Sequence, residues 1–129
     1  MRASWIDSAV EEFGRHFGFA HFVLNERGVA AARFENGASV AVEHARESLC
    51  LQVRVPMAAD GASVRKLLVA AHPGNRFPFP LRTAYLASAG QAIFLVRFPE
   101  RDVTETALWQ VFSEMWALAQ RFGGDATWN

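Results

Sequence analysis

Ser39-Val40-Ala41-Val42-Glu43-His44-Ala45-Arg46-Glu47-Ser48-Leu49-Cys50-Leu51-Gln52-Val53-Arg54-Val55 is the stretch on which the fold turns. From Ser39 to His44, Val40 and Val42 take one side and Ala41 and Glu43 the other. After a polar turn, Leu49, Leu51, Val53 and Val55 alternate with Cys50, Gln52 and Arg54. Side chains on a strand point to opposite faces in turn, so a period of two marks strands with one greasy face. Pro56 has no N–H for a ladder and ends the second strand.

Upstream, Val29 to Phe34 is a candidate strand, and Asn36-Gly37 is a two-residue hairpin signal that joins it to Ser39. Three antiparallel strands in a meander follow. His21 to Leu24 is short and apolar, and Asn25-Glu26-Arg27-Gly28 forms a turn. Before these, Ser4 to Phe17 has helical spacing. Ile6, Ala9, Val10, Phe13 and Phe17 share one side, with Ser4 as the expected cap and Gly18 as the stop.

Downstream, a second helix is expected over about Ser63 to His72, with Val64, Leu67, Leu68 and Ala71 on one side and Val69 off that stripe. Pro73 to Pro80 holds three prolines and must be a loop, so Phe77 and Phe79 must pack on the body or meet a partner. Arg82 to Ser88 and Gln91 to Phe98 are two further strands. The second is apolar on both sides (Phe94, Val96 and Phe98 against Ile93 and Leu95) and is expected to be covered on both. The last helix, about Asp102 to Phe122, opens on a capping-box-like Asp102-Val103-Thr104-Glu105 and stops at Gly123-Gly124. Its apolar arc runs from Leu108 and Trp109 to Trp116 and Phe122, about half the circumference. The reading is one α+β domain over residues 1–129, in the order α-β-β-β-α-β-β-α, with helices packed on a twisted antiparallel sheet.

Composition narrows function. With 13 basic and 13 acidic residues the net charge is zero, and the twelve arginines are scattered along the chain. No basic stripe supports nucleic-acid binding. The single Cys50 rules out an internal disulfide and agrees with a reducing cytoplasm. Acids at Asp7, Glu11 and Glu12 interrupt any signal-peptide core, and no apolar run nears the ~20 residues that span a bilayer. Eleven Phe and four Trp exceed what a core of this size needs, so part of the aromatic surface is expected to meet a subunit or partner.

Chemistry-bearing patterns are sparse. His16, His21, His44 and His72 have no zinc spacing, and Cys50 has no second thiol, although it and His44 can approach across a hairpin. Cys50 on an alternating strand is read as a packing residue. There is no phosphate-cradling glycine loop and no nucleophile elbow. Glu11, Glu12, Glu100 and Asp102 are read as helix-end or solvated charges.

The whole pattern resembles the class I type III secretion chaperones of Gram-negative bacteria, the Tir-chaperone-like group. Leu24-Asn25-Glu26-Arg27-Gly28 is similar to their turn before the first long strand. Ser39 to Glu43 followed by Leu49-Cys50-Leu51 resembles their next hairpin, Leu67 to Ala71 the end of their middle helix, and Phe112 to Trp116 their closing helix. His72 stands where the family often has Asn, and this chain is neutral where its members are commonly acidic. The resemblance implies a cytoplasmic homodimer that is not an enzyme and uses no nucleotide or other cofactor. It implies a dimer contact through Leu67, Leu68, Ala71 and Tyr85, with Phe77 and Phe79 nearby. It also implies that the N-terminal segment of a secreted effector wraps the dimer, held by strand addition and by apolar pockets. Phe17, Phe22, Leu24, Val29, Phe34, Val40 and Val42 are the pocket candidates by position. Two rivals remain at this point. One is an adaptor of the same fold that binds another protein. The other is a small ligand-binding domain or enzyme with a pocket lined by Trp109, Trp116 and Tyr85.

Overall fold

The computed structural model describes residues 3–58, 60–70 and 79–122. Helix α1 spans Ser4–Arg15, strands β1, β2 and β3 span Val29–Arg33, Ser39–Ala45 and Ser48–Pro56, and helix α2 spans Gly61–Ala70. Strands β4 and β5 span Leu81–Leu86 and Gln91–Pro99, a single 3-10 turn covers Glu100–Asp102, and helix α3 spans Glu105–Ala119. The order is the one expected from the sequence.

All five strands form one antiparallel sheet in the order β1-β2-β3-β5-β4. Chain crossover through α2 sends β4 to the edge and lets β5 return between it and β3. Because the side-chain period is two, the register aligns Ala30, Val42, Leu51, Val96 and Leu81 in one row across the core face. Leu49, Leu51, Val53, Phe94, Val96 and Phe98 are fully buried there. Helix α3 lies over β3 and β5, α1 packs on α3, and α2 packs at the β4 end. Thr83 Oγ1 donates to the Leu67 carbonyl at 2.9 Å and ties α2 to β4. The helices therefore cover one face of the sheet. The other face carries Ile93 and Leu95 half-buried among their strand neighbours, with no element over them among the described residues. Among the described residues the expectation that β5 is covered on both sides is met on the helix side alone, and Ile93 and Leu95 are half-buried by adjacent side chains.

Local chemistry departs from the sequence reading in three places. Ser4 is inside α1, and its N-cap is Ala3 with no side-chain cap bond. Helix α3 is capped by Thr104, whose Oγ1 accepts from Ala107 N–H at 3.0 Å, because Glu100 to Asp102 first make a tight turn. The β1–β2 hairpin closes at Phe34 N–H to Ala38 O, 2.8 Å, so its loop has three residues rather than two. Gly37 takes φ 89 in that loop, the left-handed position that ends a three-residue connection.

Candidate functional site

The free edge of the sheet at β1 is built by alternation. His44 N–H donates to Gly28 O and Phe34 N–H to Ala38 O, so the even-numbered residues of β1 bond to β2. The odd residues Val29, Ala31 and Arg33 then aim their N–H and C=O groups away from the sheet. Val29 is already taken. Its N–H donates to Asn25 Oδ1 at 3.0 Å and its carbonyl accepts from Asn25 N–H at 2.9 Å. Ala31 and Arg33 remain as an open edge among the described residues, two residues long.

Beside that edge stands an aromatic wall. Gly14 lets the end of α1 approach the following segment so closely that a Cβ on it would lie 2.3 Å from Phe22 Cβ. The chain then turns at Gly18, φ 84, with Phe19 N–H donating to Gly14 O at 3.1 Å. This folds Phe17 and Phe19 back toward Phe34, at ring distances of 6.2 and 5.6 Å. Phe17 also meets Phe112 edge-on at 4.5 Å and Trp109 at 5.3 Å. His16 stacks on Trp109 at 5.0 Å, and its Nε2 pairs with Glu105 across from α1 to α3. Phe17, Phe19, Phe34 and Trp109 are all half-buried, so the wall keeps an open rim.

The sequence-derived pocket residues divide on this geometry. Phe17, Phe34 and Val29 keep surface at the rim and edge. Phe22, Leu24, Val40 and Val42 do not: they are buried, at 2, 7, 0 and 0% exposure, inside the core cluster. Val40 and Val42 face α3's side of the sheet, so the chain's own layer occupies the room left for a guest. Phe19 was not among the candidates, and its place after the Gly18 reversal is the signal that would have pointed to it.

A second surface lies at the β4 end. Continuing the alternation from β1 through β3 and β5 leaves the odd residues of β4 facing the outer edge, and Met57 N–H to Gly90 O at 2.9 Å keeps the same parity. Leu68 and Val69 of α2 are 62 and 60% exposed, and Leu86 is 37%. Leu67, expected at a subunit contact, is instead fully buried in the chain's own core. Tyr85 is half-buried, with its hydroxyl donating to Met57 O at 3.4 Å. Phe79 packs on Phe98 at 4.7 Å. Ala71 and Phe77 lie outside the described residues.

Reactive chemistry does not assemble among the described residues. Among the described residues no three His, Cys, Asp or Glu converge as metal ligands. Burial pushes the Cys50 thiol up from its ordinary value, against a smaller lowering by the Arg97 guanidinium. Trp109, Trp116 and Tyr85 do not share a pocket: Trp116 meets Phe34 at the β1 end of the sheet, and Tyr85 sits in β4 at the other. No helix among the described residues is long and apolar enough to cross a membrane.

A sequence model of the Tir chaperone protein (CesT) family matches residues 8–122, from within α1 to past the end of α3. The chain belongs to that family. Solved structures with the same fold include a chain of the ExsC–ExsE complex, at 20% identity and TM-score 0.74, covering 96% of this chain and 97% of that one. A chain in the complex of the Yersinia pestis type III secretion chaperone SycH with a stable fragment of YscM2 matches at 18% identity and TM-score 0.69, covering 91 and 98%. A chain of the heterodimeric ExoU–SpcU complex from Pseudomonas aeruginosa matches at 13% identity and TM-score 0.63, covering 90 and 93%. No curated protein matches the chain significantly.

Proposed function

We propose that this family member is a cytoplasmic, non-enzymatic chaperone that binds an extended segment of a type III secreted effector as a homodimer. The observation that carries the reading is the open edge at Ala31 and Arg33 set beside the half-buried aromatic rim of Phe17, Phe19, Phe34 and Trp109. An edge strand supplies unpaired backbone groups, and apolar rings beside it supply burial for alternate side chains of an added strand. Neither element needs a nucleotide. An unfolded guest loses chain entropy on binding, and backbone bonds with many apolar contacts offset that loss. A similar fold is that of a chain in the complex of the type III secretion chaperone SycH with a stable fragment of YscM2, which supports the same reading. Leu68 and Leu86, exposed near the free edge of β4, are the proposed contact between two copies.

Ala31→Pro tests the guest site. Proline at an outward-facing edge position removes the N–H a guest would use and leaves the β1–β2 ladder intact. The variant is expected to keep its circular dichroism and lose capture of a co-expressed effector N-terminal fragment. Capture at the wild-type level would remove β1 from the proposal.

A further inference from the structure

The face of the sheet that no described element covers is strongly basic in a chain of zero net charge. Register brings together arginines that lie far apart in the sequence. One row across this face runs Arg33, Ser39, Arg54, Ile93, Ala84, and the next runs Ala31, Ala41, Gln52, Leu95, Arg82. Arg97 follows on the third row, beyond Cys50 and Glu43. Arg33 and Arg54 flank one shallow depression floored by Ala31 and Ala41. Arg82 and Arg97 flank a second, floored by Leu95 and Pro99. None of the four is in an ion pair among the described residues. The Gln52 amide, turned with its oxygen toward Arg54, accepts from Nε and Nη2, both at 3.2 Å, and so steadies that guanidinium. Among the described residues, Glu43 is the one carboxylate on this face's strands.

We infer that this face receives an extended acidic–aliphatic segment of the client chain, with carboxylates on the two arginine pairs and aliphatic side chains on the floor between them. The inference rests on the chaperone reading and adds the chemistry of the guest. Charge complementarity favours that guest, because guanidinium groups bind carboxylates through paired donors and are more weakly hydrated than ammonium groups. A second copy of this chain offers this face less, since Glu11 and Glu12 of its α1 already share Arg15, Glu105 meets His16 and Glu100 meets His44.

Five strands about 4.8 Å apart make a face roughly 20 Å wide, which a peptide of about six extended residues spans. The probe is therefore a fluorescent peptide slightly longer than that, with Glu and Val at successive same-side positions and Ser between them (Glu-Ser-Val-Ser repeated), and its counterpart is the Lys–Val peptide with Lys in place of each Glu. Polarisation should report binding of the Glu–Val peptide alone, weakening as salt rises from about 50 to about 500 mM. The charge-reversal pairs Arg33→Glu with Arg54→Glu, and Arg82→Glu with Arg97→Glu, should each weaken binding about tenfold or more. Should a reversal pair disturb folding by circular dichroism, the matching Arg→Gln pair is expected to show the same direction with a smaller loss. Equal binding of the Lys–Val peptide, or undiminished affinity in folded variants of both pairs, overturns the inference. So does equally tight competition by a single-stranded oligonucleotide, or a changed oligomeric state in the Arg→Gln pairs, since these assign the face to a polyanion or to a second copy. Lost peptide binding with effector capture intact removes this inference alone, and failed capture with peptide binding intact removes the secretion reading alone.

Discussion

Gly14→Ala should destabilise the protein even though alanine is the better helix former. Gly14 is buried within α1, where glycine costs about 1 kcal/mol relative to alanine. The structure shows what that cost secures. An added Cβ would stand 2.3 Å from Phe22 Cβ and 2.9 Å from Phe22 Cγ. Carbon atoms need roughly 3.5–4.0 Å, so the segment carrying Phe22 must retreat by more than about 1 Å. A rotamer change cannot relieve the contact, because Cβ is fixed by the backbone. Phe22 is 2% exposed and packed edge-on against Phe13 at 5.9 Å, so it has little space to retreat into. Overpacking of this kind costs typically about 1–3 kcal/mol and here belongs at the upper end. After the propensity gain, the net loss is about 1–2 kcal/mol, or roughly 3–12 °C in Tm for a chain of this size. Gly61→Ala is the matched control. Nothing lies within 4 Å of its added Cβ, and its φ is not left-handed. It should raise stability by about 0.5–1 kcal/mol through the unfolded state. Urea denaturation of both variants gives the two signs directly. If Gly14→Ala were neutral or stabilising, the account of a close helix-to-segment approach would be wrong.

Three other outcomes follow from the described geometry. Leu68→Asp should weaken self-association: burying a 62% exposed leucine is worth about 1–2 kcal/mol per copy, or about 2–4 kcal/mol across a two-fold contact. That corresponds to roughly 30- to 1000-fold in the dimer dissociation constant by sedimentation, with the monomer's fold retained, and an unchanged constant would move the contact elsewhere. Cys50, raised by burial, should react with Ellman's reagent more slowly than a free thiol at mildly alkaline pH and reach the free rate once urea unfolds the chain. Because its folded value lies above the unfolded one, the thiol's contribution to stability is present below the unfolded pKa and lost as pH rises through the folded one. A fast native reaction would refute the burial. Asp60 works in the opposite sense: its carboxyl is held below its usual range, chiefly by the Ser63 N–H at 2.8 Å at the start of α2. The gap in thermal stability between wild type and Asp60→Ala should be open at neutral pH and close as pH falls through that lowered value, and a gap constant with pH would exclude the carboxylate as the cap.

Much of the fold was legible because residues 39–44 and 49–55 alternate on either side of one polar turn, and alternation survives whatever packs on it. Boundaries were less legible where two local motifs compete. Asp102 and Thr104 are both good caps, and the 3-10 turn that takes up Glu100 to Asp102 leaves the cap to Thr104. The site was legible only in part. Periodicity says which face of a strand is greasy, but not whether the chain's own helices or a guest will cover it. That is why Val40 and Val42 were placed in a pocket and are found in the core. The arginine face was missed for the opposite reason. Arg33, Arg54, Arg82 and Arg97 are scattered in the sequence, and only strand register makes them neighbours.

The Asn25 hook on Val29 also bears on how the protein behaves when concentrated. Amyloid-like stacking needs a flat run of some six unpaired strand residues to template the next layer. With one end of β1 closed off by a side-chain amide, the exposed row is too short to recruit copies end over end. At this edge the unpaired row is long enough to pair with a short added strand and too short to seed a fibril.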